Sequence, residues 1–386
     1  MIFSGVIPLP VAYASINLDV IFFLLGMFSI VAAMDLSGLL ENLTGRMVRL
    51  SKTPERTLAV VLFGMGLLSA LLVNDTLALT ATPIMIGVSR QLKIKPNVLL
   101  ITLAQGVTIG SVMTPVGNPQ NLLIALSSGI PNPMVDFLHY LVLPTIAALL
   151  VTFLILRFIY RKHLVTPTVA YHAISVPPVT DRRLARLTAL VAGMVVVGFF
   201  VAGFAQLFGL RGNLNLGTVS LLGATAVYLF SERRREILKS VNWEIIIFFI
   251  SLFIVVQGLW TSNAIQSLMA FMPVLNPSDL ALSLGVIIIA SLLFSQLLSN
   301  VPFVAVYLKA MIAAGFTGKD VKAWVALAGG STLAGGLSLL GAASNVIILE
   351  TAETTGSGFS SWEFSKVGLL VTIPNILLLY LFLRIL

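Results

Sequence analysis

Long apolar runs alternate along the chain with short polar or basic segments. Runs over 18–40, 137–159, 187–210, 217–230, 243–260 and 367–386 are predominantly apolar, without an internal polar break, and predict helical spans of a bilayer. Four other runs carry one polar interruption each: 57–91 at Asn74-Asp75, 97–126 at 114–121, 280–311 at Ser299-Asn300, and 323–350 near Gly341. Each arm of 57–91 is only ~26 Å long at 1.5 Å per residue, short of a comfortable crossing. That run and 280–311 therefore predict re-entrant helical hairpins, the first with Asn74-Asp75 at its tip. The run 97–126 is interrupted by "MTPVGNPQNLLIA". Pro115 and Pro119 remove backbone donors, and Gly117 admits angles that other residues resist. Two half-helices should meet there inside the membrane.

The pattern repeats. "SINLDVIFFLLGMFSIVAAM" (15–34) aligns without gaps to "SVNWEIIIFFISLFIVVQGL" (240–259) with six identities in twenty, at an offset of 225. "LLVNDTLAL" matches "LLSNVPFVA" at 226, and "VGNPQNLLIA" matches "LGAASNVIIL" at 224, pairing Gly117 with Gly341 and Asn121 with Asn345. Three matches in one order point to internal duplication. Five crossings separate the two copies, an odd number, so the second enters from the opposite side. The predicted fold class is an all-α polytopic membrane protein of two inverted-topology repeats, each with a re-entrant helical hairpin and a broken transmembrane helix. The expected division is a first repeat over 1–163 with a shortened N-terminal span, a cytoplasmic linker over 164–183, and a second repeat over 184–386.

Composition agrees. The chain has 386 residues, of which 58% are hydrophobic and 10% charged; soluble domains carry about 25% charged residues. Its mean hydropathy is +1.03. The net charge of +8 reports topology before it suggests any nucleic-acid partner. Eighteen of the 23 lysines and arginines fall on one side of the expected topology and five on the other, a positive-inside signal. This places the chain as a multi-pass protein of the cytoplasmic (inner) membrane, with basic loops in the cytoplasm and both termini outside. No cleavable signal peptide is expected in 1–16. The absence of cysteine excludes disulfides and thiolate chemistry.

The breaks carry the candidate chemistry. A half-helix beginning near Asn121 would direct free N–H groups and a positive dipole end into the protein, a site for an anion or polar solute without a basic side chain. Expected solute-binding residues are Asn74, Thr76, Thr114, Gly117, Asn118, Gln120 and Asn121, with Ser299, Asn300, Gly341, Ser344 and Asn345 in mirrored places. Freed carbonyls at such breaks can hold a cation, so Na⁺ or H⁺ is the expected coupling ion, at Asp75 with Asn74, Ser111 and Asn300. Asp75 is the acid placed closest to mid-membrane; the competing role is a helix N-cap. No other cofactor is expected. His139, His163 and His172 form no metal-ligand pattern. Asp19 and Glu244 fall at span entrances, and Trp243, Trp260 and Trp362 near interfaces. "GVTIGS" (106–111) and "AGGSTLAGG" (328–336) suit close helix packing around the breaks.

"NDTLALTATPIMI", "GSVMTPVGNPQNLLI", "LLSNVPF" and "LLGAASNVIILE" resemble the ion transporter superfamily, nearest its arsenite permease and sodium–proton antiporter branch (ArsB/NhaD), including the YbiR-like anion permeases. The similarity runs from about residue 12 to the end. Where the divalent-anion symporters of that superfamily carry a Ser-Asn-Thr signature at both tips, this chain reads Asn74-Asp75-Thr76 and Ser299-Asn300-Val301. The resemblance implies a scaffold domain, a moving transport domain, and often a homodimer.

The expected function is a secondary active transporter for a small anion or oxyanion, with arsenite or antimonite efflux favoured. Its alternatives are a sodium–proton antiporter and a sodium-coupled dicarboxylate or sulfate symporter. No GxxxxGK[ST] motif is present, so energy would come from an ion gradient or a separate ATPase subunit. The chain lacks an HExxH motif, clustered acids, or a nucleophile with a base, so an enzyme is not expected.

Overall fold

The computed structural model describes residues 1–2, 5–51, 53–164, 176–207, 215–269 and 275–386. Most of the expected linker, together with His172, Lys52 and Arg211, lies outside the described residues. Every regular element among the described residues is helical, and eight helices are long and apolar enough to cross a membrane.

Equivalent local signals start the two copies. Asn17 caps the helix Leu18–Leu36 by accepting the N–H of Val20 at 3.2 Å. Asn242 caps Trp243–Thr261 through the N–H of Ile245 at 3.3 Å. Each helix is followed by a shorter one, Leu39–Arg49 or Ala264–Met269. Next come the hairpins. The first has arms Pro54–Leu71 and Asn74–Leu92, and the second Leu280–Leu298 and Asn300–Ala313. Then come the broken helices. Pro96–Gly110 tightens into a 3₁₀ turn at Ser111–Met113 and resumes as Pro119–Ser127. Val321–Ala334 stops, passes a 3₁₀ turn at Leu339–Gly341, and resumes as Ala343–Glu353. The copies close with Pro133–Tyr160 and Ser361–Ile385.

The contacts between copies are reciprocal. The second arm of the first hairpin, Asn74–Leu92, packs on the second half-helix of the other copy, Ala343–Glu353, while Asn300–Ala313 packs on Pro119–Ser127. Pro133–Tyr160 packs against Ser361–Ile385, joined in the core by Asn375 donating to Thr152 at 2.9 Å. Such exchange of equivalent partners is what a two-fold relation between repeats produces. Two helices, Arg182–Leu207 and Leu216–Phe230, stand before the second copy and pack on Leu18–Leu36. Gly26 permits that crossing, since a Cβ there would lie 2.5 Å from the Ser220 carbonyl carbon.

Three local features differ from the expected pattern. The first hairpin turns at Leu72 and Val73. Asn74 and Asp75 follow at once as the first residues of the second arm, where helical N–H groups have no intrahelical partner. The second half-helix of the first break starts at Pro119, with Asn118 as its cap, because proline is pre-shaped for the first helical position. Finally, Val60–Gly64 forms a π-helical turn inside the first hairpin arm, an irregularity frequent at functional sites.

Candidate functional site

The first break is held by its own polar side chains. Asn121 donates through Nδ2 to the carbonyls of Ser111 (3.1 Å), Val112 (3.2 Å) and Thr114 (3.1 Å). Asn118 donates to the Ser111 carbonyl (3.2 Å), to Ser111 Oγ (2.9 Å) and to Thr332 Oγ1 (3.2 Å). Thr332 belongs to the other copy. Its hydroxyl donates to Asn121 Oδ1 at 3.1 Å, and Gln120 Nε2 reaches it at 3.3 Å. Thr114 donates to the Ala70 carbonyl in the hairpin arm at 2.5 Å. The hairpin tip is tied in through the N–H of Asn74, which donates to the Gly117 carbonyl at 3.0 Å.

This arrangement corrects one expectation. The N-terminus of Pro119–Ser127 does not present a free N–H at Asn121, because Asn118 Oδ1 accepts it at 2.9 Å. Such capping removes one of the orphan donors that an anion would have used.

The second break repeats the plan. Asn345 Nδ2 donates to the carbonyls of Gly335 (2.7 Å) and Ser338 (3.2 Å), the counterparts of Ser111 and Thr114 at the offset of 224. Ser338 donates to Gln296 Oε1 in the second hairpin at 2.7 Å, and Gln296 Nε2 donates to the Ala334 carbonyl at 2.8 Å. Gln105 crosses from the first copy to donate to the Gly336 carbonyl at 2.9 Å. Several buried polar atoms here have no hydrogen-bond partner: Asn300 Oδ1 and Nδ2, Ser344 Oγ, Asn345 Oδ1, and, from neighbouring helices, Gln105 Oε1 and Thr372 Oγ1. Asn74 Oδ1 is likewise unpaired. Buried polar groups are nearly always paired in proteins, so this concentration is informative.

A cleft of about 540 Å³ enters between Leu18–Leu36, Asn74–Leu92, Ala343–Glu353 and the start of Trp243–Thr261. Asp35, Asp75, Thr76, Lys239, Glu244 and Glu350 line it. Asp75 is buried against its inner wall. Among the described residues no cationic side chain forms an ion pair with Asp75. The helix it opens has no side-chain cap, so the capping role weighed for Asp75 is not one it performs. Lys309, on the second hairpin, donates instead to Gln257 Oε1 at 2.5 Å.

The candidate residues thus fall into three groups. Ser111, Thr114, Gly117, Asn118, Gln120 and Asn121 meet at the first break, with Asn74 attached. Asn300, Gly341, Ser344 and Asn345 meet at the second, with Ser299 at the adjoining hairpin tip. Asp75 and Thr76 face the cleft. Sequence reasoning missed Thr332, Gln105, Gln296, Ser338 and Thr372. Each is a polar residue in an apolar or glycine-rich run, Gln105, Ser338 and Thr372 alone and Gln296 and Thr332 each behind a serine, and that was the available signal.

A helical bundle of spanning length, with two broken helices meeting two hairpins beside a polar cleft, defines an integral membrane transporter. The profile described as "CitMHS: Citrate transporter" matches residues 1–333, and the chain belongs to that family. It is 30% identical over 381 residues to the "46 kDa membrane protein" of Mycobacterium leprae (strain TN), covering 96% of this chain and 87% of that one. It is 27% identical over 414 residues to the "Silicon efflux transporter LSI3" of Oryza sativa subsp. japonica, covering 92% and 83%. Among solved structures it shares the fold of the Alcanivorax borkumensis YdaH transporter, with a TM-score of 0.55 and 16% identity over 94% of this chain and 84% of that one.

Proposed function

We propose that this protein is a secondary active transporter for a small oxyanion or its hydroxo acid, in the manner of the arsenite permease branch and its YbiR-like members, with arsenite or antimonite efflux as the favoured activity. The observation that carries this reading is that the first break is tied to the other copy through Thr332 and to the first hairpin through Asn74, whose neighbours Asp75 and Thr76 line the cleft. Interrupted helices beside a cavity are the recurring substrate sites of transporters that alternate access. The relative named as a silicon efflux transporter adds support, since silicic and arsenous acids are both small hydroxo acids. Asp75, buried and without a cationic partner, is the residue we assign to coupling by Na⁺ or H⁺, beside Asn74 and Thr76. We place the protein in the cytoplasmic membrane with its basic loops inside, its hairpins re-entrant and both termini outside. A second copy is the proposed partner, and an ion gradient the proposed energy source in place of a separate ATPase.

Flux into proteoliposomes tests the proposal. Arsenite or silicate transport should need an imposed sodium or proton gradient, and Asp75→Asn should abolish that dependence. Flux indifferent to both gradients would indicate a channel and end the reading. A sodium-coupled carboxylate symporter is the second reading, favoured by the description of the matching family; citrate-driven sodium uptake would establish it.

A further inference from the structure

We infer that the basic end of the helix pair Arg182–Leu207 and Leu216–Phe230 is a binding site for an anionic phospholipid, with Arg182, Arg186, Arg234 and Arg235 on its headgroup. The inference rests on the chain crossing a membrane and needs nothing of the transport reading.

One stripe carries both halves of the ligand's chemistry. Along Arg182–Leu207, the residues Arg182, Arg186, Leu190, Met194, Val197 and Val201 recur every three or four positions and so share a face. All six are exposed, the four apolar ones by 54–61%. On a spanning helix such a face meets acyl chains, which are as apolar as leucine. The two arginines stand where that face ends. Their long side chains lean toward the helix N-terminus and carry the charge to headgroup depth. The adjoining helix ends alike, with Leu229 and Phe230 67% and 68% exposed and three arginines shortly after. Ile237 is fully buried and pins Arg234–Ser240 against Leu18–Leu36, leaving Arg234 and Arg235 exposed. Trp243, whose Nε1 donates to the Leu238 carbonyl at 2.9 Å, opens the next spanning helix and marks the interface beside them.

The charge is left over. Residues 181–186 and 232–236 carry six arginines and three acids. The acids are taken: Glu232 pairs with Arg183, and Asp181 and Glu236 pair with Arg233. These pairs also bring the two segments together. Arg182, Arg186, Arg234 and Arg235 form no ion pair among the described residues. The residues outside that set contain no aspartate or glutamate. Basic residues in a first turn oppose the helix dipole, so Arg182 and Arg186 do not stabilise the helix they open. An excess of positive charge suffices for topology; it does not require unpaired arginines gathered at the end of a lipid-facing stripe. Arg157, on the same side of the expected topology, pairs with Glu55.

There is room for the headgroup. An open recess of about 410 Å³ is lined by 232–236. A second of about 200 Å³ shares Glu232 and Arg233 with it and has Leu184, Leu187 and Phe230 in its wall. The charged recess suits a phosphodiester, whose oxygens guanidinium groups bind in pairs. The apolar one suits the glycerol esters and the first methylenes. Basic recesses between helix ends at the membrane surface are where anionic headgroups settle. A zwitterionic lipid brings its own ammonium group, which the arginines repel. A soluble phosphate ester brings no chains for the stripe.

The full-length protein in neutral detergent micelles should be tested by thermal shift with phosphatidylglycerol, with phosphatidylcholine and glycerol 3-phosphate as comparators. Phosphatidylglycerol should raise the unfolding temperature, the other two should not, and the shift should shrink as salt is added. R182Q/R186Q and R234Q/R235Q should each weaken the apparent affinity at least about tenfold while leaving the lipid-free unfolding temperature unchanged or higher. R161Q/K162Q, the same loss of charge at the end of Pro133–Tyr160, should keep the affinity. The inference is overturned if phosphatidylglycerol acts no better than phosphatidylcholine, or if glycerol 3-phosphate matches it. It is equally overturned if R161Q/K162Q weakens binding as much as the arginine pairs do, or if both arginine pairs unfold the protein.

Discussion

The backbone N–H of Asn74 donates to the carbonyl of Gly117 at 3.0 Å, so the tip of the first hairpin is fastened to the loop that breaks the neighbouring helix. The contact is backbone to backbone and needs Gly117 to lie close. A Cβ at Gly117 would sit 2.5 Å from the Ser111 carbonyl oxygen and 2.9 Å from that of Ser69. Neither oxygen can swing aside as a side chain would.

Gly117→Ala should therefore destabilise by about 3 kcal/mol, the upper range for overpacking. Gly341→Ala should cost less, because its Cβ would meet Gly335 and Ala334 only at 3.1–3.2 Å. Thermal unfolding of both variants in detergent checks the order; equal losses would contradict it.

The two bracing asparagines also differ in what they support. Asn121→Ala strips Nδ2 donors from three carbonyls and a partner from Thr332, whereas Asn345→Ala strips them from two carbonyls. With about 1–3 kcal/mol for each buried group left unsatisfied, Asn121→Ala should lower the unfolding temperature more. The pair Asn121→Ala and Thr332→Val should be non-additive, since the residues share a bond.

A chain without cysteine permits single-cysteine mapping of the cleft. Thr351→Cys, in the cleft wall, should react with a charged thiol reagent added from the cytoplasmic side. Leu123→Cys, buried in the second half-helix of the first break, should not react from either side. Labelling of Thr351→Cys only from outside would invert the proposed topology.

Arg233 joins the segment before the second copy to the end of Leu18–Leu36. It donates to the Leu36 carbonyl at 3.2 Å and to Glu236 at 2.5 Å, and lies 3.8 Å from Asp181. Hydrogen bonding to Arg233 holds the Glu236 carboxyl below its ordinary range. A depressed folded value means this contribution is present at neutral pH and is lost as pH falls through that value. The group is exposed, so the effect is small. The difference in unfolding temperature between Arg233→Ala and the parent should shrink, not grow, on acidification.

The chain's own order of residues determined the helical class, the repeat and the positions of the breaks. These are local properties: an apolar run of spanning length, a proline without an N–H, a glycine beside an asparagine. The offsets read from 15–34 and 240–259 return in the folded caps at Asn17 and Asn242. What only the tertiary structure decided is which polar groups of each break find partners. Hydrogen-bond satisfaction depends on neighbours brought from afar, such as Thr332 to Asn118, Gln105 to Gly336 and Asn300 to Gly335, and no linear pattern says which of them meet. Read along the chain, the polar residues of the two breaks look like mirrored equivalents. In space, the first break bonds Asn118 and Asn121 fully into its own loop and to Thr332, while the second leaves Ser344 Oγ and Asn345 Oδ1 unpaired.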